Sequence, residues 1–492
     1  MSENRRQIEI GAFLSYGSIL LNIVVSLLYT PWMIQQIGQS QYGLYTLANS
    51  LIALFMIDFG LSSATARYVS NYHARGEEEK VNQFLGVIYK LYLLIDTVIL
   101  AALVVIFFCI DTIYAKLTPT EIMQFKVVYC IAASYSLLSF PFVTLNGILT
   151  AYEKFIPLKL ADVLYRVLLV GMTVFALLQG WGLYALVTVH AIAGLLVLLY
   201  KYIVIRRKTP VKVDFHYREK GLSKEIFGYS IWATIASLAQ RLVFNITPTI
   251  LGVVASTASI AVFGIISTIE GYAYILSTAI NGMFMPKISR IYAQGDAEKD
   301  LMDLMVGVGK FQYFVNGLIV VGFACIGRQF IQLWMGDSYI DAYWGIILVI
   351  VPGLFYNSLQ IAHTAVMVQN KVKITAFINL ATGITNIVLS LWLSREYGVL
   401  GASGAIFAAY MLRAMLCHVV YHKVLKVNMA HFARECYIKM ALPLILALAA
   451  GICITMIPLS GWTGLLIKGI LIVIEYVFFS VPIAYPKAFR KA

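Results

Sequence analysis

Polar and charged side chains recur at helical spacing inside two long apolar stretches of the sequence, residues 226–252 and 259–284. A spacing of three or four residues places the members of each set on one face of a helix. A guanidinium suits a phosphate or carboxylate ligand, a carboxylate can carry a proton or a metal cation, and amides and tyrosines suit ligands rich in hydroxyls. The members with this chemistry are Arg241 and Asn245 in the first stretch, and Glu270, Tyr274 and Asn281 in the second.

Other apolar stretches contain further isolated charges and amides. A charge at mid-membrane costs about 2.5–3.5 kcal/mol on insertion scales, so such residues usually border protein or water. We expect them to line one aqueous cavity. The structural alternative is internal salt bridges, such as Lys90 with Asp58 or Arg241 with Glu270. The residues concerned are Asn22, Asp58, Lys90, Asp96, Arg166 and Gln360.

The composition indicates which elements position these side chains. The chain has 492 residues, of which 60% are hydrophobic and 12% are charged, about half the charge of a soluble protein. A helix crosses the hydrocarbon core with about 20 mostly apolar residues, and the long runs differ from the short alternating strands of a membrane barrel. We predict an all-α polytopic membrane protein with about fourteen transmembrane helices. The predicted spans are 10–30, 43–66, 84–109, 127–150, 158–178, 183–204, 226–252, 259–284, 306–325, 343–366, 374–394, 399–420, 438–457 and 463–485.

The distribution of Lys and Arg predicts the direction of each span. With residues at helix ends assigned to the adjoining loop, 28 of the 37 fall in the N-terminus and alternate loops, and 4 in the intervening loops. Cytoplasmic loops carry such an excess, so both termini should be cytoplasmic. The excess also accounts for the net charge of +13 without a nucleic-acid partner. Arg67 and Arg413 lie near cytoplasmic ends, where snorkelling to the membrane surface is an adequate explanation.

The first twelve spans divide into two similar groups of six. Residues 70–80 (SNYHARGEEEK) align with residues 289–299 (SRIYAQGDAEK), and both follow the second span of their group. Equal orientation after an even number of spans predicts a parallel repeat, as in transporters that alternate access to a site between two lobes. The predicted domains are an N-terminal lobe (1–205), a basic linker (206–225), a C-terminal lobe (226–424) and two extra helices (425–492).

Several kinds of chemistry have no motif in this sequence. There is no G-x-x-x-x-G-K-[ST] for ATP, and no H-E-x-x-H or Cys/His cluster for a metal. The six cysteines form no C-x-x-C pair and are interpreted as small hydrophobic residues. No external loop is long enough to carry a catalytic site. We therefore expect a secondary transporter, not an enzyme, without a metal or cofactor, coupled to H⁺ or Na⁺.

Four local patterns occur in a fairly specific order and spacing. They are IGQSQYGLY at 37–45, DFGLSSATARY at 58–68, MPKISRIYAQGD at 285–296 and FIQLWMG at 330–336. In these patterns the chain resembles the Wzx-type polysaccharide flippases of the multidrug/oligosaccharidyl-lipid/polysaccharide (MOP) exporter superfamily. The resemblance extends over essentially the whole chain and implies the MATE-like fold of two pseudo-symmetric six-helix lobes, with two additional C-terminal helices.

The resemblance also implies a function in polysaccharide biosynthesis. Such flippases pass undecaprenyl-pyrophosphate-linked oligosaccharide, such as an O-antigen or capsule repeat unit, from the cytoplasmic to the outer leaflet of a bacterial or archaeal cytoplasmic membrane. Lipid II flippases carry basic residues in the first helix, whereas this chain has Asn22, which counts against lipid II. The alternatives are an ion-coupled multidrug exporter, which would lack the extra helix pair, and a non-transporting scaffold for envelope assembly. Expected partners are the lipid-linked oligosaccharide, membrane lipids, and a polymerase or assembly proteins.

These considerations give each candidate residue a role. Arg241, helped by Lys90 or Arg166, would hold the diphosphate. The proton or sodium ion would be carried by Asp58, Glu270 or Asp96. The remaining substrate-binding candidates are Asn22, Asn245, Tyr274, Asn281 and Gln360.

Overall fold

The structure is a computed structural model. It describes residues 23–56, 60–217, 234–243, 245–278, 281–294, 297–369 and 371–484. Within these ranges the regular secondary structure is entirely helical. This outcome confirms the all-α prediction.

The helices are numbered along the chain. The first eight are α1 (Ile23–Ile37), α2 (Gln39–Phe55), α3 (Leu61–Ala74), α4 (Glu78–Ile113), α5 (Pro119–Ser139), α6 (Thr144–Ala151), α7 (Phe155–Leu178) and α8 (Gly182–Lys208). The next six are α9 (Thr234–Val243), α10 (Ile246–Val254), α11 (Thr257–Thr278), α12 (Met285–Gln294), α13 (Ala297–Met335) and α14 (Asp341–Ile350). The last six are α15 (Gly353–Tyr356), α16 (Gln360–Val368), α17 (Val372–Leu425), α18 (Met429–Ala433), α19 (Lys439–Thr455) and α20 (Gly461–Ala484).

The described helices are long and apolar enough to cross a membrane many times. Ten helices or joined helices pass this test in the described ranges, and α9 with α10, bent by 44°, makes an eleventh. The 54-residue α17 contains Gly398 in a non-helical conformation and covers two predicted spans. Every predicted span overlaps a described helix, so the chain is a multi-pass membrane protein. The number fourteen itself stays a prediction.

The chain divides into two compact units. The first comprises Met1–Leu238 with Ser256–Ala261, and the second comprises Ala239–Ala255 with Val262–Ala492. The second unit thus includes α19 and α20, the two extra helices of the sequence analysis. The lobe and linker boundaries proposed from the sequence remain predictions.

A capping box begins α5 and fastens three helix starts in the first unit. Thr118 Oγ1 accepts a hydrogen bond from the Glu121 amide, and the Glu121 carboxylate accepts one from the Thr118 amide at 2.9 Å. Such a box satisfies amide groups that a helix start leaves unpaired. The same carboxylate accepts hydrogen bonds from Ser40 Oγ on α2, at 2.7 Å, and Thr257 Oγ1 on α11, at 2.6 Å. One acid therefore holds α2, α5 and α11 together at their first turns.

In the second unit, α19 and α20 pack along the 39-residue α13. Tyr476 Oη donates a hydrogen bond to the Phe314 carbonyl at 2.9 Å. A Cβ atom at Gly317 would lie 2.2 Å from that same hydroxyl oxygen, so the close approach requires glycine. Farther along α13, Lys310 Nζ lies 2.9 Å from a carboxylate oxygen of Glu435. Aromatic packing and an ion pair therefore fasten the extra helices to this unit.

Candidate functional site

Helices α11, α13, α15 and α17 of the second unit converge on a small polar cavity. Its volume is about 30 Å³, which is enough for roughly one water molecule. A carboxylate, a guanidinium, two amides and three phenols share its wall, so the groups present can bind both charges and hydroxyls. These polar lining residues are Glu270, Tyr274, Asn316, Tyr356, Asn357, Tyr410 and Arg413.

Arg413 provides the positive charge of this cavity. Its side chain is only 3% exposed, and its guanidinium carbon lies 3.8 Å from the centre of the Tyr356 ring. Its Nε has no hydrogen-bond partner among the described residues. The snorkelling interpretation is therefore wrong, because the guanidinium stacks on an aromatic face inside the protein instead of reaching the membrane surface.

Glu270 provides the negative charge. Tyr410 Oη donates a hydrogen bond to Glu270 Oε1 at 2.9 Å. Tyr410 and Arg413 are three residues apart on α17 and both line the cavity with Glu270. The helix period therefore presents one phenol and one guanidinium to the same carboxylate-bearing space.

A chain of buried amides leads away from the cavity. Asn316 Oδ1 accepts hydrogen bonds from Asn357 Nδ2 at 3.0 Å and from Ser277 Oγ at 2.8 Å. Asn316 Nδ2 donates to the Gln312 carbonyl at 2.7 Å, and Gln312 Nε2 donates to Asn281 Oδ1. Buried polar groups of this kind are costly unless paired, so the network fixes the relative positions of α11, α13 and the segment at Asn357.

The first unit contains a second buried cluster of similar chemistry. The Arg166 guanidinium on α7 donates a hydrogen bond to Ser26 Oγ on α1. Tyr165 Oη lies 2.8 Å from His190 Nδ1 on α8, and the His190 ring is 6.0 Å from that of Tyr45 on α2. Four helices thus bring an arginine, a hydroxyl and three aromatic rings together.

The structure places some predicted site residues in these clusters. Glu270 and Tyr274 line the cavity of the second unit, and Asn281 ends its amide network. Gln360 is 7% exposed and lies one helical turn after Tyr356. In the first unit, the Arg166 guanidinium donates a hydrogen bond to Ser26, a polar residue of the predicted span 10–30.

Other predicted residues lie elsewhere. Arg241 and Asn245 flank the bend between α9 and α10 and do not line the Glu270 cavity. Lys90 Nζ donates a hydrogen bond to the Tyr217 carbonyl at 2.9 Å, and Asp96 lines a separate pocket in the first unit. Asn22 and Asp58 fall outside the described residues.

Sequence comparison assigns the chain to a protein family. The family described as "Polysaccharide biosynthesis protein" matches residues 10–292, which is more than half of the chain. The chain belongs to this polysaccharide biosynthesis protein family. The match confirms the resemblance found in the local sequence patterns.

Curated relatives of this polysaccharide biosynthesis protein are distant but cover most of its length. A Shigella flexneri protein named "Putative O-antigen transporter" is 22% identical over 407 residues, which are 80% of this chain and 92% of the relative. The uncharacterized membrane protein EpsK of Bacillus subtilis is 22% identical over 405 residues, which are 77% of this chain and 75% of the relative.

Two solved structures show the same fold as this chain. A structure titled "Lipid II flippase MurJ, inward closed conformation" has a TM-score of 0.74 at 15% identity and covers 96% of this chain and 98% of that one. A multidrug resistance MATE family transporter of the MOP superfamily has a TM-score of 0.65 at 12% identity, covering 84% and 99%. The predicted MATE-like fold is thereby confirmed.

Several residues of the candidate site were not predicted from the sequence. Arg413 and Tyr410 carry a detectable signal, since they lie on one helix face three residues apart in an apolar span. Asn316 and Asn357 lie on different helices and meet only in the folded unit. Their pairing has no local sequence signal.

Proposed function

We propose that this protein is a flippase that moves undecaprenyl-pyrophosphate-linked oligosaccharide repeat units from the cytoplasmic to the outer leaflet by ion-coupled alternating access. The observation that carries the proposal is the buried Arg413, stacked on Tyr356 and surrounded by amides and phenols inside a membrane-spanning unit. Membership in a polysaccharide biosynthesis family and the similarity to an O-antigen transporter support the choice of cargo.

The arginines would hold the diphosphate of the lipid carrier. A guanidinium keeps its charge in proteins and matches phosphate oxygens with two parallel hydrogen bonds. Arg413 retains unused donors because its Nε has no hydrogen-bond partner among the described residues. Arg166 offers the same group in the first unit, beside Ser26. We therefore assign the diphosphate to Arg413 in the second unit, with Arg166 and Arg241 as separate candidates.

The amides and phenols would contact the glycan. Asn316 and Asn357 present amides at the cavity, and Tyr274 and Tyr356 present rings. Sugars offer hydroxyls for the amides and apolar ring faces for the aromatic side chains. A cavity of about 30 Å³ holds no sugar, so binding requires the lining helices to separate, as transport by alternating access demands.

Glu270 is our candidate for ion coupling. Its carboxylate accepts one hydrogen bond from Tyr410 and shares the cavity with Arg413. Intramembrane carboxylates commonly mark ion or proton pathways. Arrival of an anionic diphosphate at Arg413 would add negative charge near Glu270 and favour binding of a cation there, and this interaction would link cargo binding to uptake of H⁺ or Na⁺.

One observation favours a second candidate, an ion-coupled exporter of small cationic molecules. Three phenol rings, those of Tyr274, Tyr356 and Tyr410, line the same cavity as the Glu270 carboxylate. Aromatic rings with a carboxylate can bind an organic cation. The two functions differ in the charge of the cargo and can be separated by one reconstituted system.

The decisive experiment is flipping of a pyrophosphate-linked oligosaccharide in proteoliposomes. We expect Arg413→Gln and Arg166→Gln to flip at least tenfold more slowly, since a hydrogen bond to a charged group contributes about 1.5–3 kcal/mol. Arg395→Gln is the matched control, because Arg395 is exposed. Glu270→Gln should lose acceleration by an ion gradient, whereas the exposed Glu396→Gln should keep it.

The outcomes distinguish the possible functions. Normal flipping by folded Arg413→Gln and Arg166→Gln proteins would reject the site assignment while leaving the flippase function intact. Gradient-driven efflux of cationic dyes without glycan flipping would favour the exporter. If no cargo moves at all, the result favours the non-transporting scaffold. The property to measure is then binding to polymerase or assembly proteins.

A further inference from the structure

The chain that follows α8 runs along the beginning of α4 and is fastened to it. Lys212 N donates a hydrogen bond to Asn82 Oδ1 at 2.7 Å, and Asp214 N donates to the Asn82 carbonyl at 3.1 Å. Two helical turns after Asn82, Lys90 Nζ donates a hydrogen bond to the Tyr217 carbonyl. Asn82, Gly86 and Lys90 are four residues apart and share one face of α4.

Gly86 shows how closely the two segments approach. A Cβ atom at this position would lie 1.7 Å from the Asp214 carbonyl oxygen, so a side chain cannot be accommodated without moving backbone. The segment 209–217 is therefore packed against α4 as part of the first unit and is not a loose connection. We call it the wall segment. This arrangement also explains Lys90, whose charge serves the attachment of the segment.

Between the wall segment and the helices behind it lies a pocket of about 790 Å³. This volume is within the range of small-molecule sites in proteins. Helices α4, α5, α6 and α8 and the wall segment all contribute to its lining, and most of the lining is apolar. Four of the apolar side chains are also exposed, by 38% to 55%: Leu93, Leu138, Phe142 and Phe215.

The charged residues of the pocket are distributed unevenly, with the cations at one end. Arg206 and Lys212 lie at the end formed by the last turn of α8 and the wall segment. Asp96 lies 14 residues beyond Asn82 along α4, a rise of about 21 Å, while Lys212 is hydrogen bonded to Asn82. The carboxylate is therefore far from the cationic end and does not oppose an anion bound there.

We propose that this pocket binds one anionic phospholipid of the surrounding membrane, with its phosphate at Arg206 and Lys212 and an acyl chain along Leu93 and Leu138. A basic rim above apolar walls in a membrane-spanning helix bundle matches a lipid with an anionic head group. Arg206 Nε donates a hydrogen bond to the Tyr202 phenol oxygen at 3.1 Å, and its guanidinium carbon lies 5.8 Å from the centre of that ring. The site is independent of the proposed cargo site.

The test is native mass spectrometry of the full chain released from detergent, titrated with phosphatidylglycerol, phosphatidylcholine or phosphatidylethanolamine. We expect preferential binding of one phosphatidylglycerol. The double variant Arg206→Gln/Lys212→Gln should weaken this binding at least tenfold, because each surface cation contributes about 1 kcal/mol to attraction of anionic lipid. The matched control is Arg207→Gln/Lys208→Gln, which removes two exposed charges from the same helix end.

A second variant tests the pocket and not only the charge. Leu138→Trp places a larger side chain in the pocket wall and should displace the lipid while the melting temperature in detergent is retained. Equal binding of the three lipids, or wild-type affinity in both test variants, would overturn the proposal. Displacement of phosphatidylglycerol by undecaprenyl diphosphate in stoichiometric amounts would instead assign the pocket to the cargo lipid. Flipping in vesicles of phosphatidylcholine alone reports on the cargo site separately.

Discussion

At the scale of single residues, position along a span predicts depth in the membrane but not neighbours. Arg413 lies near the end of its predicted span, which made snorkelling a sufficient explanation, yet its guanidinium is buried on Tyr356 from another helix. Arg166 was predicted from the sequence as a substrate-binding cation, but its contact with Ser26 depends on how α1 and α7 meet. Sequence spacing predicts which residues share a helix face, and tertiary packing decides what that face contacts.

Asn316 offers a test of the buried amide network. Its side chain joins Ser277 and Asn357, and it is 3% exposed. Asn316→Ala leaves the Asn357 amide without this acceptor, while the Ser277 hydroxyl can still donate to the Ala273 carbonyl at 2.6 Å. We expect a loss of about 0.6–1.7 kcal/mol, from the mean to the maximum measured for hydrogen bonds between membrane helices. The measurement is the shift in melting temperature in detergent, with the exposed Asn71→Ala as control. Equal shifts in the two variants would mean that the network does not contribute to stability.

At the scale of elements, hydropathy finds spans because each one needs about 20 apolar residues. It does not find interruptions inside them. The predicted span 43–66 is divided in the structure into α2 and α3, with Gly60 at φ 69° before α3. The span 127–150 is interrupted near Pro141 by a short 3₁₀ turn between α5 and α6. An apolar window measures length and composition, so a local change of backbone conformation leaves it unaltered.

Gly398 gives the clearest prediction at this scale. It lies within α17 at φ 54° and ψ −128°, a combination that is sterically accessible to glycine and hardly to other residues. A Cβ at Gly401 would lie 2.2 Å from the Leu393 carbonyl oxygen, so the chain folds back closely at this turn. We expect Gly398→Ala to destabilise the protein by about 1–3 kcal/mol.

The control for this prediction lies a few residues away. Gly404 is helical, and a Cβ there meets nothing within 4 Å. Gly404→Ala should be neutral or slightly stabilising, because alanine favours a helix by about 1 kcal/mol over glycine. Thermal unfolding of both variants in the same detergent gives the comparison. A Gly398→Ala protein as stable as Gly404→Ala would show that the turn tolerates a side chain.

At the scale of the whole molecule, the fold and two extra helices were predicted from the sequence. The contacts that attach these helices to the rest of the second unit were not predicted. Hydropathy identifies α19 and α20 as apolar, whereas their neighbour is fixed by a few specific contacts. These are the Tyr476 hydroxyl over Gly317 and the carboxylate of Glu435 between Lys310 and Lys439. The contacts at Gly317 and at Lys310 join residues more than 100 positions apart, and no pattern within a single helix predicts them, whereas Glu435 and Lys439 are only four residues apart.

The orientation of the chain in the membrane is the remaining prediction at this scale. Alternate loops carry 28 Lys and Arg against 4 in the others, and this asymmetry orients the chain through the positive-inside rule. Exposed positions exist on both sets of loops. In a variant without the six native cysteines, we expect a cysteine at Arg75, Lys208 or Lys426 to resist a membrane-impermeant maleimide in intact cells and to react after permeabilisation.

The opposite loops supply the matched positions. Lys116 and Asp337 are exposed and lie on loops that hold few basic residues, so Lys116→Cys and Asp337→Cys should react in intact cells. The number of spans between two positions determines whether they share a side, and labelling therefore tests the count together with the direction. Labelling of both sets from outside would reveal an error in the number of spans, and reversal of the two sets would reject the orientation alone. The direction of transfer in the flippase proposal depends on this result, because labelling identifies which loops lie on the cytoplasmic side.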